Sequence, residues 1–281
     1  MAGVMIINID CSFAKKVLIA LFLLLTFCCG FPGNINWTVP KYFAGSDEAV
    51  YFLQARANDS YLERLASDWK LELVTAGART DQERVILLCY YVSGLWTHSP
   101  SNIPAKNDPQ SILSDVQNGA RYRCVEYSIV LASFCEAIGL CARVVRLSVS
   151  PDPGAECHAV AEVFLDDEGR WIMADGQWGI VPCKNKTALS LKGIQDCIIM
   201  GDKKLSFFSI SQMAKSAYYF WLAPFLNTFS ANRSLNVFWE PVNVPSIILT
   251  PADFDISQIA DAQNIYTHSI ASFYNEPGPS I

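Results

Sequence analysis

One run in this chain restricts its fold more than any other. Cys124 to Ile138 has helical character and is apolar on most sides, and Gly139 ends it. A helix without a polar face has to be covered all round, so it belongs at the centre of a domain. Three strand-like segments follow at once: Ala142–Val149, His158–Leu165 and Trp171–Asp175. Helices therefore come first and strands second, which is the pattern of an α+β domain with antiparallel strands. Hydrophobic residues make up 51% of the 281 and charged residues 17%, ample material for such a core.

The last two strands make a geometric statement. If Asp166-Asp167-Glu168-Gly169 is the turn, Leu165 faces Arg170 and every pair of numbers sums to 335. Val160 then pairs with Asp175, and His158 with Gln177. Paired residues share a face, so His158 and Asp175 become diagonal neighbours, about 7–8 Å apart at the backbone and within side-chain reach. An odd loop without a bulge would break that parity.

Cys124 opens the central helix. Unpaired N–H groups and the helix dipole favour an anion there, and Arg121 and Arg123 add positive charge nearby. A thiol attacks carbonyl carbon as thiolate, so it needs a base or a positive field. His158 suits the base and Asp175 the group that orients it, with the Cys124 N–H a natural oxyanion donor.

The blocks Arg121-Tyr122-Arg123-Cys124-Val125-Glu126-Tyr127-Ser128 with Ala137–Val145, then His158–Phe164, then Gly169–Asp175 resemble the cysteine, histidine and aspartate segments of the transglutaminase-like superfamily. The resemblance covers about residues 80 to 180. It implies a papain-like core and thiol-mediated acyl chemistry on amides, with Cys124, His158 and Asp175 as the catalytic residues. Family members often have Gly where Tyr122 stands and Asp-Pro where this chain has Asp175-Gly176.

Further helices are expected over Asp47–Ala57, from Asp59-Ser60 to Thr75 with Gly77 as a stop, and after the capping-box sequence Thr80-Asp81-Gln82-Glu83. The last carries Val85, Leu88, Cys89, Val92 and Trp96 at core-facing spacing. Asp108-Pro109 opens another that ends near Gly119. The division expected is residues 1–30 as signal peptide or membrane anchor, 31–79 as linker and helices, 80–200 as catalytic core, and 201–281 as an irregular, aromatic-rich extension packed on it.

Lys15-Lys16 precede an apolar run from Val17 to Phe27. That is shorter than the roughly 20 residues of a bilayer span and fits an export signal. Cys28-Cys29-Gly30 leaves lipid attachment and plain secretion both open, and an uncleaved anchor is the other reading. The expected location is the cell envelope or the exterior. Apart from Cys11, Cys28 and Cys29, seven cysteines remain. Export would permit disulfides; with Cys124 free, six cysteines allow 15 pairings among which the sequence does not choose, and Cys183 and Cys197, which flank a loop-like stretch, are one candidate pair. Cys89 and Cys135 suit buried small hydrophobes, and Cys157, on the strand face opposite His158, a structural thiol.

Net charge −6 and the lack of a basic stripe argue against a nucleic-acid partner. Three scattered histidines and no Cys-x-x-Cys argue against zinc. His98 and His268 suit surface or structural positions. No cofactor is expected, and the expected partner is a protein or peptide substrate. Three functions stay open: hydrolysis of peptide or isopeptide amides, acyl transfer to an amine that cross-links proteins, and a catalytically silent envelope-binding module.

Overall fold

The computed structural model describes residues 59–152, 154–210, 213–232, 246–251, 255, 265–267 and 269–274. The export signal expected at the N-terminus, the lead-in after it, the helix expected from Asp47, the strand expected over Leu235–Trp239 and His268 lie outside these residues.

The fold is α+β, with helices preceding an antiparallel sheet. Helices α1 (Asp59–Asp68) and α2 (Leu71–Thr75) replace the single helix expected to Thr75. The break falls at Lys70, whose φ of 51° is left-handed and cannot continue an α-helix. Helix α3 (Asp81–Ser93) starts as foreseen, with the Thr80 hydroxyl accepting from the Glu83 N–H. The reciprocal bond from the Glu83 carboxylate goes to the N–H of Arg79 instead of Thr80. Val85, Leu88, Cys89 and Val92 are fully buried. Trp96 lies past the end of the helix, buried against Tyr127 with ring centroids 4.0 Å apart. Helix α4 (Pro109–Gln117) is capped by Asp108, which accepts from the Ser111 N–H.

Helix α5 (Cys124–Ala137) is the central element, and ten of its residues are buried. Burying a Leu, Val or Phe side chain of this kind stabilises by about 1.5–3 kcal/mol, so coverage on all sides anchors the Cys124 end. Strands β1 (Ala142–Ser148), β2 (Cys157–Leu165) and β3 (Arg170–Ala174) follow. Leu165 pairs with Arg170 and Ala161 with Ala174, so the register deduced from the four-residue turn holds along the ladder.

Beyond Ala174 the chain leaves β2. Asp175 exchanges backbone hydrogen bonds with Ile180, which opens β4 (Ile180–Lys184). The pairing of His158 with Gln177 therefore does not form. Two glycines permit this bend. A Cβ on Gly176 would lie 3.1 Å from the Tyr127 carbonyl oxygen, and Gly179 has φ +60° with a virtual Cβ 2.6 Å from Ser93 Oγ.

β4 lies between β5 (Thr187–Ala188) and, after helix α6 (Leu191–Ile199), strand β6 (Leu205–Ser209). Helix α7 (Lys215–Leu222) leads to β7 (Thr228–Asn232), β8 (Ser246–Leu249) and β9 (Ile265–Thr267), with the short α8 (Ile270–Phe273) last. The large sheet runs β3-β2-β1-β7-β8-β9, antiparallel except for the β8–β9 pair. The described residues beyond 200 are thus more regular than their sequence suggests, because β7 hydrogen-bonds directly to β1. One face of this sheet, with Ala161, Val163 and Ile172, packs on α3 and α5. The other, with Val160, Phe164 and Met173, packs on α6, α7 and Phe273.

A buried ion pair ties the C-terminal elements to the core. Arg143 on β1 bonds Glu162 on β2 at 2.6 Å and the Phe273 carbonyl at 2.9 Å. Its guanidinium lies 4.3 Å from the Trp171 ring and 4.4 Å from the Phe273 ring. Glu162 also accepts from the Leu191 N–H and the Tyr274 hydroxyl. Breaking a buried pair leaves its partner uncompensated, so Arg143→Met is expected to destabilise by about 3–5 kcal/mol in urea unfolding. A loss below about 1 kcal/mol would show that the pair does not hold the C-terminal elements.

Candidate active site

Cys124 is the first residue of α5 and is half-buried. The Glu126 carboxylate closes the helix start by accepting from the Arg123 N–H at 2.9 Å. It also pairs with the Arg123 guanidinium at 2.6 Å. The expected gift of free positive charge from Arg123 is therefore corrected, because buried Glu126 takes it. Arg121 is exposed, and its carbonyl accepts from Asn102 Nδ2. Tyr122, where glycine is common in the family, is buried. Its hydroxyl donates to Asp115 at 2.9 Å and its carbonyl accepts from the Ser99 N–H at 2.9 Å. The ring thus moors the approach to Cys124 against α4.

His158, the second residue of β2, is 3% exposed. Its Nε2 lies 2.9 Å from Asp175 Oδ2. The Cys124 thiol lies within hydrogen-bonding reach of the same imidazole. The Ala159 N–H also donates to the sulfur. The three residues picked out by the sequence are brought together in one hydrogen-bonded line.

Electrostatics follow from this geometry. Burial pushes the Cys124 thiol up, but the hydrogen bond and charge of His158, with the Ala159 N–H, leave it below its ordinary value. Burial pushes His158 down, yet the charge and hydrogen bond of Asp175, helped by Cys124, raise it to about 9. The two shifts run in the directions that favour a thiolate beside an imidazolium.

Asp175 is fully buried and receives four donors. Oδ2 accepts from His158 and, at 3.0 Å, from the Tyr218 hydroxyl. Oδ1 accepts from the N–H groups of Gln177 at 3.1 Å and Trp178 at 3.3 Å. The Cys89 thiol donates to the Asp175 carbonyl at 3.4 Å, so this buried cysteine also braces the bend.

Sequence reasoning did not find the aromatic surround. Trp221 meets the His158 ring edge-on at 4.8 Å, and Phe225 lies at 6.4 Å. Trp178 stands 5.8 Å from Trp221. Tyr218 and Trp221 come from α7, whose aromatic run Tyr218-Tyr219-Phe220-Trp221 was the only available signal. His98 is exposed, yet burial and the charge of His158 lower its pKa, which puts this loop residue within electrostatic reach of the site.

Two cysteine expectations change. No disulfide joins the described cysteines, Cys183 and Cys197 included. Those two sit on β4 and α6, and burial raises both. Cys157 is exposed, because it precedes the part of β2 that is buried throughout. Cys89 and Cys135 are buried as expected.

A cysteine opening a buried central helix, joined through a strand histidine to a carboxylate, defines a papain-like α+β cysteine fold. Residues 70–176 match the family model described as transglutaminase-like superfamily. No curated protein matches the sequence. Among solved structures, a candidate protease from Parabacteroides distasonis is similar at 13% identity and TM-score 0.30. The likeness covers 41% of this chain and 26% of that one. A candidate cysteine protease from Cytophaga hutchinsonii is similar at 12% identity and TM-score 0.35, over 76% of this chain and 58% of that one. This chain thus spans less than two thirds of either.

Proposed function

We propose that the protein hydrolyses peptide or isopeptide amides through an acyl-enzyme on Cys124. The observation that carries this reading is the single imidazole bonded to both the thiol and the buried carboxylate. The Cys124 thiolate attacks the amide carbon, and the Cys124 N–H, on the first turn of α5, faces the oxyanion that forms. The His158 imidazolium protonates the leaving amine, and the C–N bond breaks. Neutral His158 then takes a proton from water, which attacks the thioester and releases the acid. Asp175 keeps the imidazole in the required tautomer and stabilises its cation. In acyl transfer an amine replaces water in the last step, with the same residues in the same roles.

Hydrolysis is the preferred reading because water is always present, whereas transfer needs a groove selective for an amine. The apolar run after Lys15-Lys16 supports export, with action at the cell envelope, either lipid-anchored or secreted. Mass spectrometry of peptide substrates incubated with and without excess primary amine tests the choice. The free acid is expected to dominate in both. A stable amide product in the amine sample would make the protein a cross-linking transferase.

A further inference from the structure

We propose that Tyr218 is a positioning residue for the Asp175–His158 pair, so that helix α7 is part of the active site. This deepens the proposed function and rests on it. Tyr218 lies outside the segment matched by the family model, 43 positions beyond Asp175 in the chain.

The argument begins with the carboxylate. Each Asp175 oxygen holds two donors, which fills the lone-pair sites of the group. Two backbone amides fix Oδ1. On Oδ2 the donors are the two side chains, His158 and Tyr218. Without the phenol, Oδ2 has only the imidazole to hold it, and the carboxylate plane is less firmly set. With the phenol, the plane is set and Oδ2 is aimed at Nε2.

The tyrosine is placed to serve as a permanent donor. It is fully buried, and its ring packs against Phe207 and Tyr219 at 5.8 and 5.4 Å. Burial and the charge of Asp175 hold the pKa of its hydroxyl well above the usual tyrosine value, so it keeps its proton. One turn on, Trp221 covers the imidazole edge. The same helix thus sets the carboxylate and shields the bond it makes, and exclusion of water strengthens that bond.

The test needs no substrate. Iodoacetamide labelling of Cys124 is followed across pH in the full chain, and each cysteine peptide is read separately because Cys157 is also exposed. Tyr218→Phe keeps the ring and removes one oxygen. Its labelling midpoint is expected to rise by about one pH unit, as a loosened Asp175 stabilises the imidazolium less. Asp175→Ala should raise it further. Tyr219→Phe should leave it unchanged, since that hydroxyl donates to the Ser206 carbonyl. Protection of buried Cys135 in the same samples reports the fold, and sucrose restores it if the variant is weakened. A Tyr218→Phe midpoint equal to or below the wild type, with Asp175→Ala shifted, would overturn the role of Tyr218 alone. A wild-type midpoint at the ordinary thiol value, unmoved by Asp175→Ala, would overturn the acyl-enzyme reading and this proposal with it.

Discussion

Cys124→Ala is expected to abolish the proposed amide turnover, a loss on the order of 10⁴-fold or more, because the thiol beside His158 is the one that would form the thioester. The fold survives. Cys124 is half-buried at a helix start, and the variant removes one sulfur without stranding a charge, since His158 keeps Asp175 as its partner. Stability should change by no more than about 1 kcal/mol. Cys124→Ser should be nearly as inactive, because a hydroxyl is a far weaker acid than a thiol and no longer gives up its proton to the imidazole. Steady-state rates beside urea unfolding curves check both points. Turnover retained in folded Cys124→Ala would remove this residue as nucleophile, and the exposed thiol of Cys157 would be the next candidate to examine.

Much of the site was legible because its signals are local. The helix of Cys124 shows as an uninterrupted apolar run, and the Thr80 and Asp108 caps depend on residues three positions away. The His158–Asp175 relation depends only on turn length and strand parity, and the ladder from Leu165–Arg170 to Ala161–Ala174 keeps both. The extrapolation failed one step further on. Two backbone bonds to Ile180 draw Asp175 away from β2, yet its side chain still meets His158. Tertiary contacts had no such trace. Nothing near Tyr218 announces a partner 43 residues upstream, and nothing in Thr228–Asn232 announces pairing with β1. Charge pairing was equally hidden: Arg123 looks free in sequence, but a helix places Glu126 one turn away and the two neutralise each other.

Asp175→Ala should cost on the order of 10³–10⁴-fold in turnover and should also reshape the pH profile. In the wild type the active thiolate–imidazolium form spans the range from the depressed thiol value of Cys124 up to about 9, where His158 loses its proton. Below that range the thiol is protonated and cannot attack. Above it the leaving amine has no acid. In the variant the largest contribution raising His158 is gone while burial still lowers it, so its value falls. Cys124 loses its cationic partner and rises, and the window closes from both sides. Stability follows the same linkage. The wild-type His158 value lies above its unfolded value of 6.5, so its contribution is fully present below about pH 6.5 and fades as pH rises through 9. The stability gap between wild type and Asp175→Ala should therefore be larger at pH 6 than at pH 10 in urea unfolding. A gap that is equal at the two values, with an unchanged upper limb in the rate profile, would mean that the carboxylate braces the bend at Gly176 without governing the charge of the imidazole.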